Sequence, residues 1–303
     1  MMSNRIKVVF GIDMETDVGS FTPYYEGLVN GTPLLLDLFA KEEVSATFLF
    51  TGDSVLKHPE VARACLEAGH ELGAHSLKHE TVGDPLFELP GEKPLLKAEV
   101  FPRLKLNSEI IEDATGVRPT SFRSPRLWGS TAVTSALMKL GYKCDLSYPM
   151  YFYRKQFSPY FVDENDWTSP GKSDLLEIPN FADMEMKSND PGLERDRDQW
   201  PLFRTVGAEY VFERAMRFDA FCQARDIPTV LCFYIHPWEF WPMPKSFDFG
   251  EATVTPHEFI TKNCGSAALR QLEVLIHLLG EQDSEFISAA DLYAEYFKNR
   301  SAR

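Results

Sequence analysis

The chain has 303 residues, 44% of them hydrophobic and 25% charged, ordinary globular proportions that suffice for one large α/β domain. Its 45 acidic against 31 basic residues leave a formal charge of −14, and no Lys/Arg run or arginine-aromatic stripe offsets it, which argues against nucleic acid as a partner. No apolar stretch approaches the roughly 20 residues of a spanning helix, the start runs into a strand without an apolar leader, and the five cysteines show no CxxC spacing; together these predict a cytoplasmic protein with reduced thiols.

The chain opens on a β-branched and aromatic run, 6–13, that reads as a buried strand. A leucine-rich helix follows over 32–42 with Pro33 near its start, then a strand over 46–51. A helix over 58–68, opened near Pro59 and closed by Gly69, leads to a strand over 71–76. Next come a helix over 97–115 ended by Gly116, a strand over 121–124, a helix over 130–140 ended by Gly141, and strands over 143–147 and 175–180. The last part alternates a helix over 208–225, an emphatically apolar strand over 229–236, a helix over 265–279 and a strand over 285–289. Alternation of β and α over residues 1–303, with no linker or repeat, predicts a single domain that is either an α/β barrel or a doubly wound sheet. Insertions near 18–31, 80–101, 149–173 and 184–201 break the alternation and are placed to act as lids or binding loops.

Ionisable residues gather where these strands end. The first strand empties into Asp13-Met-Glu15-Thr-Asp17, a carboxylate group that burial penalises unless a cation or an arginine compensates it. His75-Ser-Leu-Lys-His79 follows the third strand, and two imidazoles four apart suit a metal if the chain curls there, or surface chemistry if it does not. Arg123-Ser-Pro-Arg126, then Asp145, then His236-Pro-Trp238-Glu239 close three more strands. In α/β barrels the carboxyl edge of the sheet is where catalytic groups assemble, so delivery of such residues by several strands outweighs the bland reading of each alone.

Asp13, the His75-Ser-Leu-Lys-His79 run, Arg123-Ser-Pro125 and His236, in that order, resemble the motifs of the polysaccharide deacetylases, the NodB-homology group also called carbohydrate esterase family 4, in its longer intracellular form. The resemblance implies a distorted (β/α) barrel of about seven to eight strands, one divalent metal ion of the zinc type, and hydrolysis of the N-acetyl group of an amino sugar or glycan. It implies Asp13 as general base, His236 as general acid, Arg123 as the partner that orients Asp13, and His75 and His79 as metal ligands. Where the common form has a second aspartate, this chain has Met14. Glu15 therefore becomes the expected third ligand, with Asp17 and Asp145 as alternatives or supports. Arg126, with a backbone amide for the oxyanion, and Trp128 and Trp238 are the expected substrate contacts. Two other readings compete: a metal-free cyclic-amide hydrolase of the allantoinase type, which the intact histidine pair disfavours, and a non-catalytic glycan-binding module, which does not need Asp13 and His236. Aromatic, Pro-rich stretches at 149–159 and 240–249 further predict a homo-oligomer that covers them.

Overall fold

A computed structural model describes residues 5–301; the opening Met1–Asn4, read above as carrying no leader, lies outside the described residues. Eight strands run through the chain as expected: β1 (Lys7–Met14), β2 (Thr47–Phe50), β3 (Glu71–Ala74), β4 (Ser121–Phe122), β5 (Cys144–Asp145), β7 (Leu176–Glu177), β8 (Val230–Ile235) and β11 (Glu285–Phe286). Three short strands were not anticipated. β6 (Tyr160–Phe161) pairs antiparallel with β7, and β9 (Phe247–Asp248) forms a hairpin with β10 (Thr253–Val254).

The parallel order β1-β2-β3-β4-β5-β7 curls round, and β8 pairs with the free side of β1. The seam between β7 and β8 closes through a single bridge, Asn180 to Cys232, with the Phe181 amide donating to the Cys232 carbonyl at 2.8 Å. The result is a distorted barrel rather than a doubly wound sheet, as the resemblance implies. β11 extends the sheet beside the amino half of β1.

Strand alternation decides what faces inward. On β1, Val8, Phe10, Ile12 and Met14 belong to the large core between sheet and helices, while Val9 belongs to a smaller inner core with Cys144, Leu176, Val230 and Cys232. Gly11, Asp13 and Glu15 share the inward parity of Val9. A side chain at Gly11 would stand 2.3 Å from the Arg123 guanidinium, so the absence of a Cβ there is what lets an arginine occupy the barrel interior.

Two of the longer helices differ most from expectation. The first spans Glu26–Lys41, six residues earlier than predicted and with Pro33 inside it, because the Asp17 carboxylate accepts from the Glu26 and Gly27 amides at 3.0 and 2.8 Å and so starts the helix from a distance. Its Gly31 lies against the Pro237 carbonyl, where a Cβ would meet the oxygen at 2.1 Å; this close approach brings the helix onto the loop that carries His236. An unpredicted helix, Ala289–Ser301, plugs the amino end of the barrel through Leu292. Its signal was present in the sequence: Ser288 accepts from the Asp291 amide at 3.1 Å and its hydroxyl donates to the Asp291 carboxylate at 2.7 Å.

The stretches expected to need a subunit interface are largely covered by the chain itself. Met150, Tyr151, Phe240 and Phe247 are buried, leaving Trp241 as the large exposed aromatic among them. No described helix is long and apolar enough to cross a membrane.

Candidate active site

The carboxyl ends of β1, β3, β4 and β8 deliver Asp13, Glu15, His75, His79, Arg123 and His236 to one floor, all of them buried. Parity explains Met14: its side chain points outward into the helix-facing core, so Asp13 and Glu15, not adjacent residues, look into the cavity. After β3 the chain makes a turn rather than a helix, with Ser76 and His79 at φ of 65° and 58°. That left-handed backbone costs energy for side-chain-bearing residues, and it sets the two imidazoles 5.1 Å apart.

Glu15, His75 and His79 offer ligand atoms that all lie within 4.8 Å of one another. His75 Nδ1 donates to the Arg123 carbonyl at 2.8 Å, which leaves its Nε2 lone pair facing Glu15 Oε2 at 3.5 Å. His79 Nε2 approaches the same oxygen at 2.6 Å. Yet Glu15 Oε2 makes no hydrogen bond of acceptable geometry, nor does His79 Nδ1, although both are buried. One carboxylate oxygen and the Nε2 atoms of two imidazoles, converging in a buried site, form a donor set suited to a cation. Burial pushes the Glu15 carboxyl upward, but the nearby imidazoles of His79, His75 and His236 more than offset this and hold it well below the usual carboxylate range.

The opposite side of the floor is saturated with hydrogen bonds. Arg123 donates to Asp13 at 2.7 Å, to the carbonyls of Gly11, Leu146 and Phe233 at 3.1, 3.1 and 3.2 Å, and to the Asn180 side chain at 3.3 Å. It thereby ties β1 and β4 to the closing seam at Asn180. His236 Nδ1 donates to Glu239 at 2.9 Å, which points Nε2 at the cavity, 3.9 Å from Asp13 and 3.7 Å from Glu15. Glu239 also accepts from Trp200 at 3.0 Å and from the fully buried Arg204. Burial lowers the proton affinity of His236, but the hydrogen bond to Glu239 and the carboxylates of Glu15, Glu239 and Asp13 raise it overall.

Other expected residues fall elsewhere. Asp17 is spent on the start of helix Glu26–Lys41 and does not join the ligand group. Asp145 lies deeper, hydrogen-bonded to Ser147 and beside Glu177, where burial pushes its carboxyl up to about 7; it supports the inside of the barrel. Arg126 lines the cavity with its guanidinium 3.0 Å from Glu92. Trp128 does not line the cavity: it is buried beneath Arg126 and edge-on to Phe87. Trp238 does line it and stacks on His236 at 5.1 Å. Sequence reasoning missed Asn180 and Arg204, neither of which sits in a motif with these residues, and offers Trp200 only as one of several insertion aromatics that could stack on a sugar ring.

The cavity above this floor is about 250 Å³. The family model described as polysaccharide deacetylase matches residues 18–144, a stretch that holds His75, His79 and Arg123. A peptidoglycan deacetylase of Helicobacter pylori is 29% identical over 209 residues, 59% of this chain, and the match spans 66% of that relative, just under two thirds of its length. A putative polysaccharide deacetylase from Mycobacterium smegmatis has the same fold over 99% of this chain and 93% of its own, at 19% identity and a TM-score of 0.63. Puue allantoinase matches equally well in shape, with a TM-score of 0.63 over 98% of this chain and 92% of its own, at 16% identity. At these identities the structural likeness speaks to the fold alone. The family match over residues 18–144 and the Helicobacter relative make the chain similar to polysaccharide deacetylases over that part of its length.

Proposed function

We propose that the chain is a metal-dependent hydrolase that removes the N-acetyl group from an amino sugar or glycan, releasing acetate and the free amine. The observation that carries this reading is the buried convergence of Glu15, His75 and His79 next to Asp13, paired with Arg123, and His236, paired with Glu239. Two imidazole nitrogens and a carboxylate oxygen suit zinc, with coordination positions left over for small molecules. An ion bound there supplies Lewis acidity to the acyl carbonyl and to water.

The chain's own residues supply the proton traffic. Asp13, fixed by Arg123 through one oxygen, has its other oxygen turned towards His236 and the cavity, where it accepts the proton of the attacking water. His236 carries Nδ1–H to Glu239 and presents Nε2–H to the leaving nitrogen; its raised proton affinity keeps it charged for that step. Trp200 and Trp238 pack around the imidazole, holding it in place and limiting water around it.

Shape cannot separate a deacetylase from an allantoinase, since both match the fold. The buried donor set of Glu15, His75 and His79 favours the metal-dependent reading over the metal-free one. The deciding measurement is acetate release from N-acetylated amino sugars by zinc-loaded protein, alongside elemental analysis. No acetate from any of them, or active protein without metal, overturns the proposal. A cytoplasmic, homo-oligomeric enzyme remains our reading of the surroundings; a monomeric mass by light scattering would remove the second half of it.

A further inference from the structure

Two arginines line the cavity, and they are placed differently. Arg126 is paired with Glu92. Arg195, on the loop before Trp200, lies with its guanidinium over the Phe87 ring at 5.4 Å. Among the described residues no carboxylate stands within ion-pair distance of Arg195, and no acceptor meets its side-chain N–H groups. The carboxylates of Asp198 and Asp190 act on it at longer range, and Asp198 is buried and engaged by the Tyr234 hydroxyl and the Gln199 amide, the latter at 2.8 Å. The side chain remains open to solvent at the rim.

An arginine stacked on an aromatic ring is pre-oriented, and five unused donors in a planar fork match a carboxylate or a phosphoryl group in two-point contact. The location matters as much as the geometry. A chain with a net charge of −14 repels an anionic ligand, so such a ligand needs a local cation at the entrance. The acidic residues on the floor do not provide competition, because Asp13 is held by Arg123 and Glu15 by the imidazoles. The cavity is also small, below the usual range of about 300–1,000 Å³ for small-molecule sites, which suits a single substituted sugar unit more than a long uncharged chain.

We infer that Arg195 is a specificity residue that binds an oxyanion carried by the substrate, a carboxylate or a phosphoryl group on the acylated amino sugar. This rests on the deacetylase reading for the reaction but not for the binding. The test compares a neutral N-acetylhexosamine, its 1-phosphate and an N-acetylated amino-uronic acid, by kcat/KM and by calorimetric titration of the corresponding free amines, which bind without turnover. The native protein should favour one or both charged compounds by about 10- to 100-fold, the range of a charge-assisted bidentate contact, and which one it favours identifies the anion. Arg195→Ala should lose that preference in both measurements, Arg195→Lys should keep part of it, and Arg195→Glu should reverse it. Equal affinity for charged and neutral compounds in the native protein, or a preference untouched in Arg195→Ala, overturns the inference even if acetate is released. An Arg195-dependent preference in the titrations with no acetate from any compound would instead sink the deacetylase reading and leave the anion site standing.

Discussion

Arg123 and Glu239, on one side of the cavity floor, have every donor or acceptor engaged, whereas Glu15 Oε2 and His79 Nδ1, on the other, are buried without a hydrogen-bond partner. Both sides are equally dry, so the difference is not one of exposure. A buried polar group without a partner costs roughly 1–3 kcal/mol, and a protein carries that cost where a ligand relieves it. The saturated side is a scaffold that fixes the direction of Asp13 and His236, the two groups proposed to transfer protons. The unsaturated side is where the proposed metal ion would be received.

That contrast can be broken by substitution, and the largest effect belongs to the unsaturated side. Glu15→Ala should abolish both metal binding and activity, with elemental analysis falling from about one divalent ion per chain to none; a variant that keeps its metal would move the receptor elsewhere. On the saturated side Asp13→Asn should cost about 10²- to 10⁴-fold in kcat, the range of a lost general base, while its metal content stays unchanged. His236→Ala should cost around 10²-fold on an amide and much less on an activated ester, because only the amine requires a proton to leave; equal losses would deny it the acid role.

Two smaller effects sharpen the comparison. The Glu239 carboxylate is one of the groups that raise the His236 proton affinity. In the proposed mechanism the working form of His236 is the protonated one, so activity should persist above the ordinary imidazole range and fall as pH rises through the raised value. Glu239→Gln removes part of that support, and the alkaline limb of kcat should move to lower pH, with a loss of about tenfold or less at the optimum; a limb that stays in place would show that another group sets it. Asp17→Ala should leave metal content intact and lower stability by about 0.5–2 kcal/mol in denaturant melts, as expected for a helix start losing its cap. Metal loss in that variant would restore Asp17 as a ligand.

Much of this was legible before any coordinates. Strand-forming runs at regular intervals and punctuation by Gly69, Gly116 and Gly141 are local properties, and all eight strands of the expected alternation are present. Polar residues at strand ends are equally visible, since a carboxyl end is defined by sequence direction alone. Less was legible where a residue's partner is distant. Asp17 reads as one more carboxylate in a cluster, and only the fold shows it nine residues from the amide it caps. Trp128 reads as an exposed platform, yet packing places it under Arg126.

What the sequence by itself determined is therefore the kind of chemistry: residue types, their order and strand parity suffice to set Asp13 and Glu15 on one face and Met14 on the other, because alternation is a property of the extended backbone. What only the tertiary structure decided is which of those groups are satisfied. Arg123 reaches Asn180 across 57 positions and Glu239 meets Arg204 across 35, and neither pairing leaves a trace in local periodicity. Whether a buried charge is spent on the scaffold or left for a ligand depends on such long-range contacts, since hydrogen bonding is short in reach and indifferent to sequence separation.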